Sequence, residues 1–362
     1  MKIILIHSFL FLYIIYLHGF IFLNNFLKLK RNHNFYETSL IGLIITIITA
    51  QFINFFIPLS DNLLIINSVI LALFTIFFFK NFKKNLKENL YIFFLLGFLS
   101  LANIYGSGFS DDLNHYHYSS IANADQNNFI WGQGFLHPLF GTSSTWLIGH
   151  SYFNFDQSRL QDIHVLNGLI FFLILGCFVS ELYSNNREKS YHPIIFSLIL
   201  FILIKYTRLK EFGIDRPSTL IFCFLIYYYL KYFLILKNKE IINDFIIILF
   251  ISISLFSIKI IYLPVLIFPL ILFYKKKSYL IKNHPNYLII LLPLTVVMMK
   301  NILGTGCMIY PVEASCINQI SWLDNISIKE FSISSEIFNK SWHSYTGDLS
   351  KESYIQNFNW LG

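Results

Sequence analysis

The sequence predicts an all-α protein, a polytopic bundle of about ten membrane-spanning helices with the N-terminus outside and a partly helical outer loop between spans four and five. Composition, the length of the apolar runs and the placement of basic residues each lead there. Of 362 residues, 55% are hydrophobic and 13% charged, where a soluble domain carries about 25% charged residues. Mean hydropathy is +0.58.

A helix crosses the hydrocarbon core in about 20 apolar residues, because each backbone polar group must be satisfied within the segment. Runs that fit cover 3–27, 39–57, 62–79, 90–105, 162–182, 193–207, 217–236, 244–258, 260–274 and 286–303. The first is too long for a signal-peptide core and has no small-residue cleavage site after it, so it reads as a retained helix. The stretch 244–274 is too long for one span, and Lys259 followed by Pro264 predicts a tight hairpin of two helices.

Basic residues fill five of the gaps: Lys28, Lys30 and Arg31; Lys80, Lys83, Lys84 and Lys87; Arg187 and Lys189; Lys237 and Lys239; Lys275, Lys276, Lys277 and Lys282. With the N-terminus outside, all five face the cytoplasm, as the positive-inside rule requires. The net charge of +7 therefore sets topology and does not point to nucleic acid. The expected parts are three accessory N-terminal helices over 1–89, a transmembrane core over 90–303 with its outer loop at 106–161, and an extracytoplasmic tail over 304–362. The connector 208–216 departs from the charge rule. Lys205, Arg208, Lys210 and Arg216 put base on the outer side, and an anionic ligand would explain that cost.

The densest polar run follows the fourth span: G-S-G-F-S-D-D-L-N-H-Y-H-Y, 106–118. Ser110 or Asp111 can cap a helix that starts near Asp112, placing Asp111 and His115 on one face. Asp111 and Asp112 are read either as caps or as acids that take a proton from a hydroxyl or hold a divalent metal. His115, His117 and His137 are read as structural or as substrate-contacting groups. Residues 131–146, W-G-Q-G-F-L-H-P-L-F-G-T-S-S-T-W, predict a segment at the membrane interface, either an anchor or part of a substrate groove. Asp215, just before Pro217, suits a helix start and is also a candidate second acid. Lys259, at the hairpin tip, either snorkels or meets a phosphate beside Arg208, Lys210 and Arg216, and Lys300 has the same two readings. Cys307 and Cys316 are both expected outside, where a disulfide would persist. Cys177 and Cys223 lie in apolar runs and read as buried.

The order of these motifs resembles the polytopic glycosyltransferases of the GT-C class. The likeness is to the bacterial branch that shares a domain with lipopolysaccharide core sugar transferases and dolichyl-phosphate mannosyltransferases, and within it to an uncharacterised group. It rests on Asp111-Asp112-Leu113-Asn114-His115-Tyr116-His117, on Phe135 to Trp146, on Ser257-Ile258-Lys259, and on Lys300-Asn301 with Tyr310-Pro311. It runs from about residue 90 to the end. Relatives continue with further helices or an outer domain after the point where this chain stops, so a truncated sequence is expected.

The resemblance implies an inverting transfer of a sugar from a polyprenyl-phosphate donor to an extracytoplasmic glycan or lipid acceptor in a bacterial inner membrane. Asp111 or Asp112 would be the base, with His115, His117, His137, Arg208, Lys210, Asp215, Arg216 and Lys259 around the substrates. A divalent metal is left open, and Asp111, Asp112 or His115 would hold it. The alternative is a transporter or flippase of lipid-linked or anionic substrates. That reading asks for ionisable residues within the spans, whereas here acids and bases are expected at helix ends.

Overall fold

The computed structural model describes residues 2–28, 33–60, 66, 67, 69, 83, 90–105, 116–142, 144–153, 165–183, 190–205, 213–231, 241–282, 287–323, 325–341 and 350–356. Among these the protein is all-α, with no strand. Eight long helices follow the apolar runs closely. They are α1 (Lys2–Ile21), prolonged by a wider turn to Phe26, α2 (Phe35–Asn54), α3 (Leu90–Tyr105), α8 (Val165–Tyr183), α9 (His192–Ile204), α10 (Asp215–Tyr228), α11 (Ile241–Ile258) and α13 (Tyr287–Thr305). Short helices lie between α3 and α8: α4 (Tyr118–Gln126), α5 (Gln133–Leu136), α6 (Pro138–Gly141) and α7 (Thr145–Tyr152). The expected run 62–79 lies almost wholly outside the described residues.

The expected hairpin is present. After α11 the backbone of Lys259 is extended (φ −149°, ψ 125°), a 3-10 turn covers Ile260–Leu266 around Pro264, and α12 (Ile267–Lys282) packs back on α11. α12 kinks at Lys276, within the run of three lysines. Two shorter helices follow α13: α14 (Asn325–Ser341) and α15 (Lys351–Ile355).

Among the described residues, three helical segments are long and apolar enough to cross a membrane, Ser8–Phe26, Phe35–Asn54 and Val165–Tyr183. Several others are apolar but shorter. α9 buries Ile195 and Ile202 yet leaves Phe196, Leu200, Phe201, Leu203 and Ile204 exposed. A helix that is apolar on its exposed side suits lipid and not water.

The chain forms two compact units. The first holds 1–129 and 144–294, the second 130–143 and 295–362. In the first unit α1 and α2 cross closely. A Cβ on Gly42 would lie 1.7 Å from the Ile15 carbonyl oxygen, and one on Gly19 1.9 Å from that of Thr38. Only glycine fits there, which is how small residues let membrane helices approach. α2 then packs on α7 and α8, and the Tyr36 ring fills the space above Gly176. The N-terminal helices are thus part of the first unit's core.

Candidate functional site at the loop end of the first unit

The polar segments of the first unit meet at one end of its helices. Asn54, at the end of α2, donates from its amide to the carbonyls of Ala124 and Asn127, both at 3.1 Å. α4 packs on α7, and Ile121 and Leu147 form a small core that Tyr116, Tyr118 and Ile214 complete. His117 is buried among these residues, with its Cε1 3.6 Å from where a Cβ on Gly213 would stand. The acid-histidine-tyrosine run and the basic connector, far apart in sequence, are therefore adjacent at His117 and Gly213–Ile214.

The same end carries the hairpin. Asp215 opens α10, and its carbonyl accepts from the hydroxyls of Ser218 and Thr219 at 3.0 and 2.8 Å. Its carboxylate is paired with the Lys259 ammonium. Asp215 thus stands at a helix start with Lys259 as its partner. The pair is open to solvent, with side-chain exposures of 65% and 32%, so a ligand can compete for either partner. The Thr219 hydroxyl lies 3.2 Å from that of Tyr262, and Ser257 shares a buried hydrogen bond with Thr145 at 2.7 Å. Thr145 belongs to the S-S-T-W stretch, whose Ser144 caps α7 and whose Trp146 is buried and donates to Asn167 at 3.2 Å. Arg216 follows Asp215 and is half-buried. Asp111, Asp112, His115, Arg208 and Lys210 lie outside the described residues.

The second unit holds the remaining candidates. His137 caps α6, its Nδ1 accepting from the Leu139 amide at 3.2 Å, which satisfies the structural reading of that histidine. Phe135 and Leu136 are exposed. Gly132 has a left-handed backbone (φ 73°), and a Cβ there would come within 2.9 Å of Trp322. Gly141 lies against the Tyr310 ring, which stacks on Phe331 at 5.6 Å. Burial pushes the Tyr310 phenol up. Cys307 and Cys316 are joined by a disulfide that encloses Tyr310 and Pro311. Lys300 is buried in α13. No group of three or more His, Cys, Asp or Glu suited to a metal occurs among the described residues.

The opposite end of the first unit holds a second polar cluster. Lys231 lies between two carboxylates, 2.8 Å from Glu37 Oε1 and 2.6 Å from Glu181 Oε2. The Tyr227 hydroxyl touches both acids, and Lys231 also donates to it at 2.8 Å. His33 Nδ1 stands 3.1 Å from the other oxygen of Glu37, and the Tyr191 hydroxyl donates to the other oxygen of Glu181. Burial and the adjoining Glu181 push the Tyr191 phenol up, so it stays a donor. Asn34 caps α2 through the Glu37 amide (2.7 Å) and donates to Ser180 on α8 (2.8 Å).

The whole chain, residues 1–362, matches the family model described as a domain of unknown function, DUF8201. This chain belongs to the DUF8201 family. No curated protein and no solved structure matches it.

Sequence reading of this DUF8201 chain missed the buried cluster. It placed acids and bases at helix ends and took the spans to be almost free of them, yet Glu37, Glu181 and Lys231 are all buried. Glu181 and Lys231 fall inside the expected runs 162–182 and 217–236, each near the end that the basic gaps mark as cytoplasmic. That shared sidedness was the available signal. It puts one base and two acids at the same depth, where they can meet.

Proposed function

We propose that this protein is a membrane glycosyltransferase that moves a sugar from a polyprenyl-phosphate donor to an extracytoplasmic glycan or lipid acceptor. It would sit in a bacterial inner membrane with about ten spans and its N-terminus outside. The observation that carries this reading is the meeting of motifs at the loop end. The segments bearing Tyr116-His117, Ser144-Thr145-Trp146, Gly213 to Arg216 and Ser257 to Lys259 come from four parts of the first unit and converge there.

In the proposed reaction Asp111 or Asp112 takes the proton of the acceptor hydroxyl. The oxygen attacks the anomeric carbon as the bond from that carbon to the phosphate oxygen breaks. The polyprenyl phosphate leaves with the bonding electrons, and Arg208, Lys210, Arg216 and Lys259 stabilise its charge. Lys259 would exchange the Asp215 carboxylate for phosphate. The test is transfer of labelled sugar from membrane lipid extract by purified protein, comparing wild type with the Asp111→Asn/Asp112→Asn double variant. Transfer that the folded double variant loses supports the proposal. Absence of transfer with every extract speaks against it.

The buried Glu37–Lys231–Glu181 cluster favours a second reading, a transporter or flippase of lipid-linked or anionic substrates, since charges held within membrane helices often line transport paths. Movement of labelled lipid across vesicles carrying the protein would separate the two.

A further inference from the structure

We propose that residues 131–136 of the second unit are a membrane-inserting segment, whose Trp131, Phe135 and Leu136 side chains enter the lipid leaflet at the Leu303 end of α13. The pattern of burial carries this. Trp131, Phe135 and Leu136 are 60%, 65% and 66% exposed, while Gly132 and Gly134 beside them are buried. In water the order would be reversed, since large apolar side chains are driven inward and glycine has no side chain to bury. A segment that hides its smallest residues and presents its largest is built to face an apolar medium.

The glycines seat the segment. The Gly132 amide donates to the Leu303 carbonyl at 2.8 Å, and a Cβ on Gly134 would stand 3.0 Å from Thr305 Cγ2 and 3.2 Å from the Gly304 carbonyl oxygen. The backbone of 132–134 therefore lies against the end of α13, and the single turn of α5 leaves Phe135 and Leu136 exposed. The polar groups turn back on the segment itself. The Gln133 side-chain amide donates to the Phe140 carbonyl at 3.0 Å and the Thr142 hydroxyl to the Leu139 carbonyl at 2.7 Å. The Phe135 and His137 backbone amides donate to the carbonyls of Gly132 and Gln133 at 2.9 and 3.3 Å. Polar groups satisfied in this way leave water at little cost.

The occupant is bilayer lipid. No Asp, Glu, Lys or Arg occurs between Asp125 and Asp156, so the segment lacks the polar rim of a protein interface. It is fastened to the last turn of α13, which follows the apolar run 286–303, and Met299, one turn before Leu303, is exposed as well. Apolar exposure is thus shared by the helix and the segment. A Trp ring at such a helix end suits the headgroup level, because it joins an apolar body to an N–H donor. Of the two readings of 131–146, anchor and substrate groove, residues 131–136 take the anchor. Insertion requires that α13 span the bilayer, and its side, the extracytoplasmic leaflet, rests on the topology proposed above.

The test is fluorescence of the full-length protein in lipid vesicles, with an environment-sensitive nitrobenzoxadiazole dye on Leu136→Cys and, in a second variant, on Phe135→Cys. Asn318→Cys, an exposed polar position of the same unit, is the reference. Cys177 and Cys223 are buried and Cys307 and Cys316 are bonded to each other, so the dye goes to the new thiol. Lipid carrying a nitroxide high on its acyl chain should quench the dyes at 135 and 136, and aqueous iodide should quench the dye at 318. Dyes at 135 and 136 that iodide reaches as readily as the one at 318 would overturn the proposal. So would dyes shielded from iodide yet untouched by the nitroxide lipid, which would mean that protein covers the segment. In sealed right-side-out vesicles external dithionite should bleach the dye at 136. A dye that the nitroxide lipid quenches but that dithionite bleaches only after the membrane is opened would bear out insertion and contradict the N-terminus-outside topology.

Discussion

The two ends of the first unit are built from the same helices and solve opposite problems. At one end Glu37, Glu181 and Lys231 are buried, and every carboxylate oxygen is met by a donor. At the other end Asp215 and Lys259 form an ion pair in partial solvent, surrounded by loops and short helices. α2 runs from Glu37 to Asn54 between these ends, a rise of about 25 Å, close to the roughly 30 Å of a bilayer core. A closed, satisfied network holds helices together and offers a ligand nothing to bind. An exposed pair adds little to stability and can be exchanged for a ligand. Fold and chemistry are thus separated along the helix axis, and variants at the two ends should fail in different ways.

The largest expected effect is at the closed end. Lys231→Met removes the buried cation that lies between two carboxylates, which should cost about 3–5 kcal/mol and lower the thermal unfolding midpoint sharply in detergent or nanodiscs. A midpoint within a degree of wild type would show that the network is not what holds this end. Overpacking the α1–α2 crossing comes next. Gly42→Ala places a methyl group against the Ile15 carbonyl and should cost about 1–3 kcal/mol, read by the same melt. Tyr191→Phe removes one donor from Glu181. It should destabilise by about 1–3 kcal/mol without touching transfer. The smallest effect on stability belongs to the loop end. Lys259→Ala should shift stability by about 0–1 kcal/mol yet reduce sugar transfer, and a variant with both properties unchanged would remove Lys259 from the proposed site.

Much of the fold was legible in the sequence because hydrocarbon imposes a simple demand on length and apolarity. The expected run 90–105 coincides with α3, and 162–182 and 193–207 differ from α8 and α9 by a few residues at their ends. The 244–274 hairpin was legible from Lys259 and Pro264, because a charge and a ring without an N–H both oppose an unbroken helix. The site was less legible. Proximity of His117 to Gly213, or of Thr145 to Ser257, depends on how helices pack across 96 and 112 residues of chain, and no local pattern carries that. The buried network escaped for a related reason. Its acids and its base stand singly in sequence, each resembling an ordinary helix-end charge, and only packing shows that they meet.

The most direct test of the two-ended account is sidedness. Asn128 lies at the loop end and Ser190 beside Tyr191 at the closed end, and both are exposed, whereas the free thiols of Cys177 and Cys223 are buried. Asn128→Cys and Ser190→Cys should be treated separately, in the native membrane, with a maleimide that cannot cross it. The account predicts that Asn128→Cys reacts from the outside in sealed cells and that Ser190→Cys reacts only once the membrane is opened. Reaction of both from the same side would contradict it.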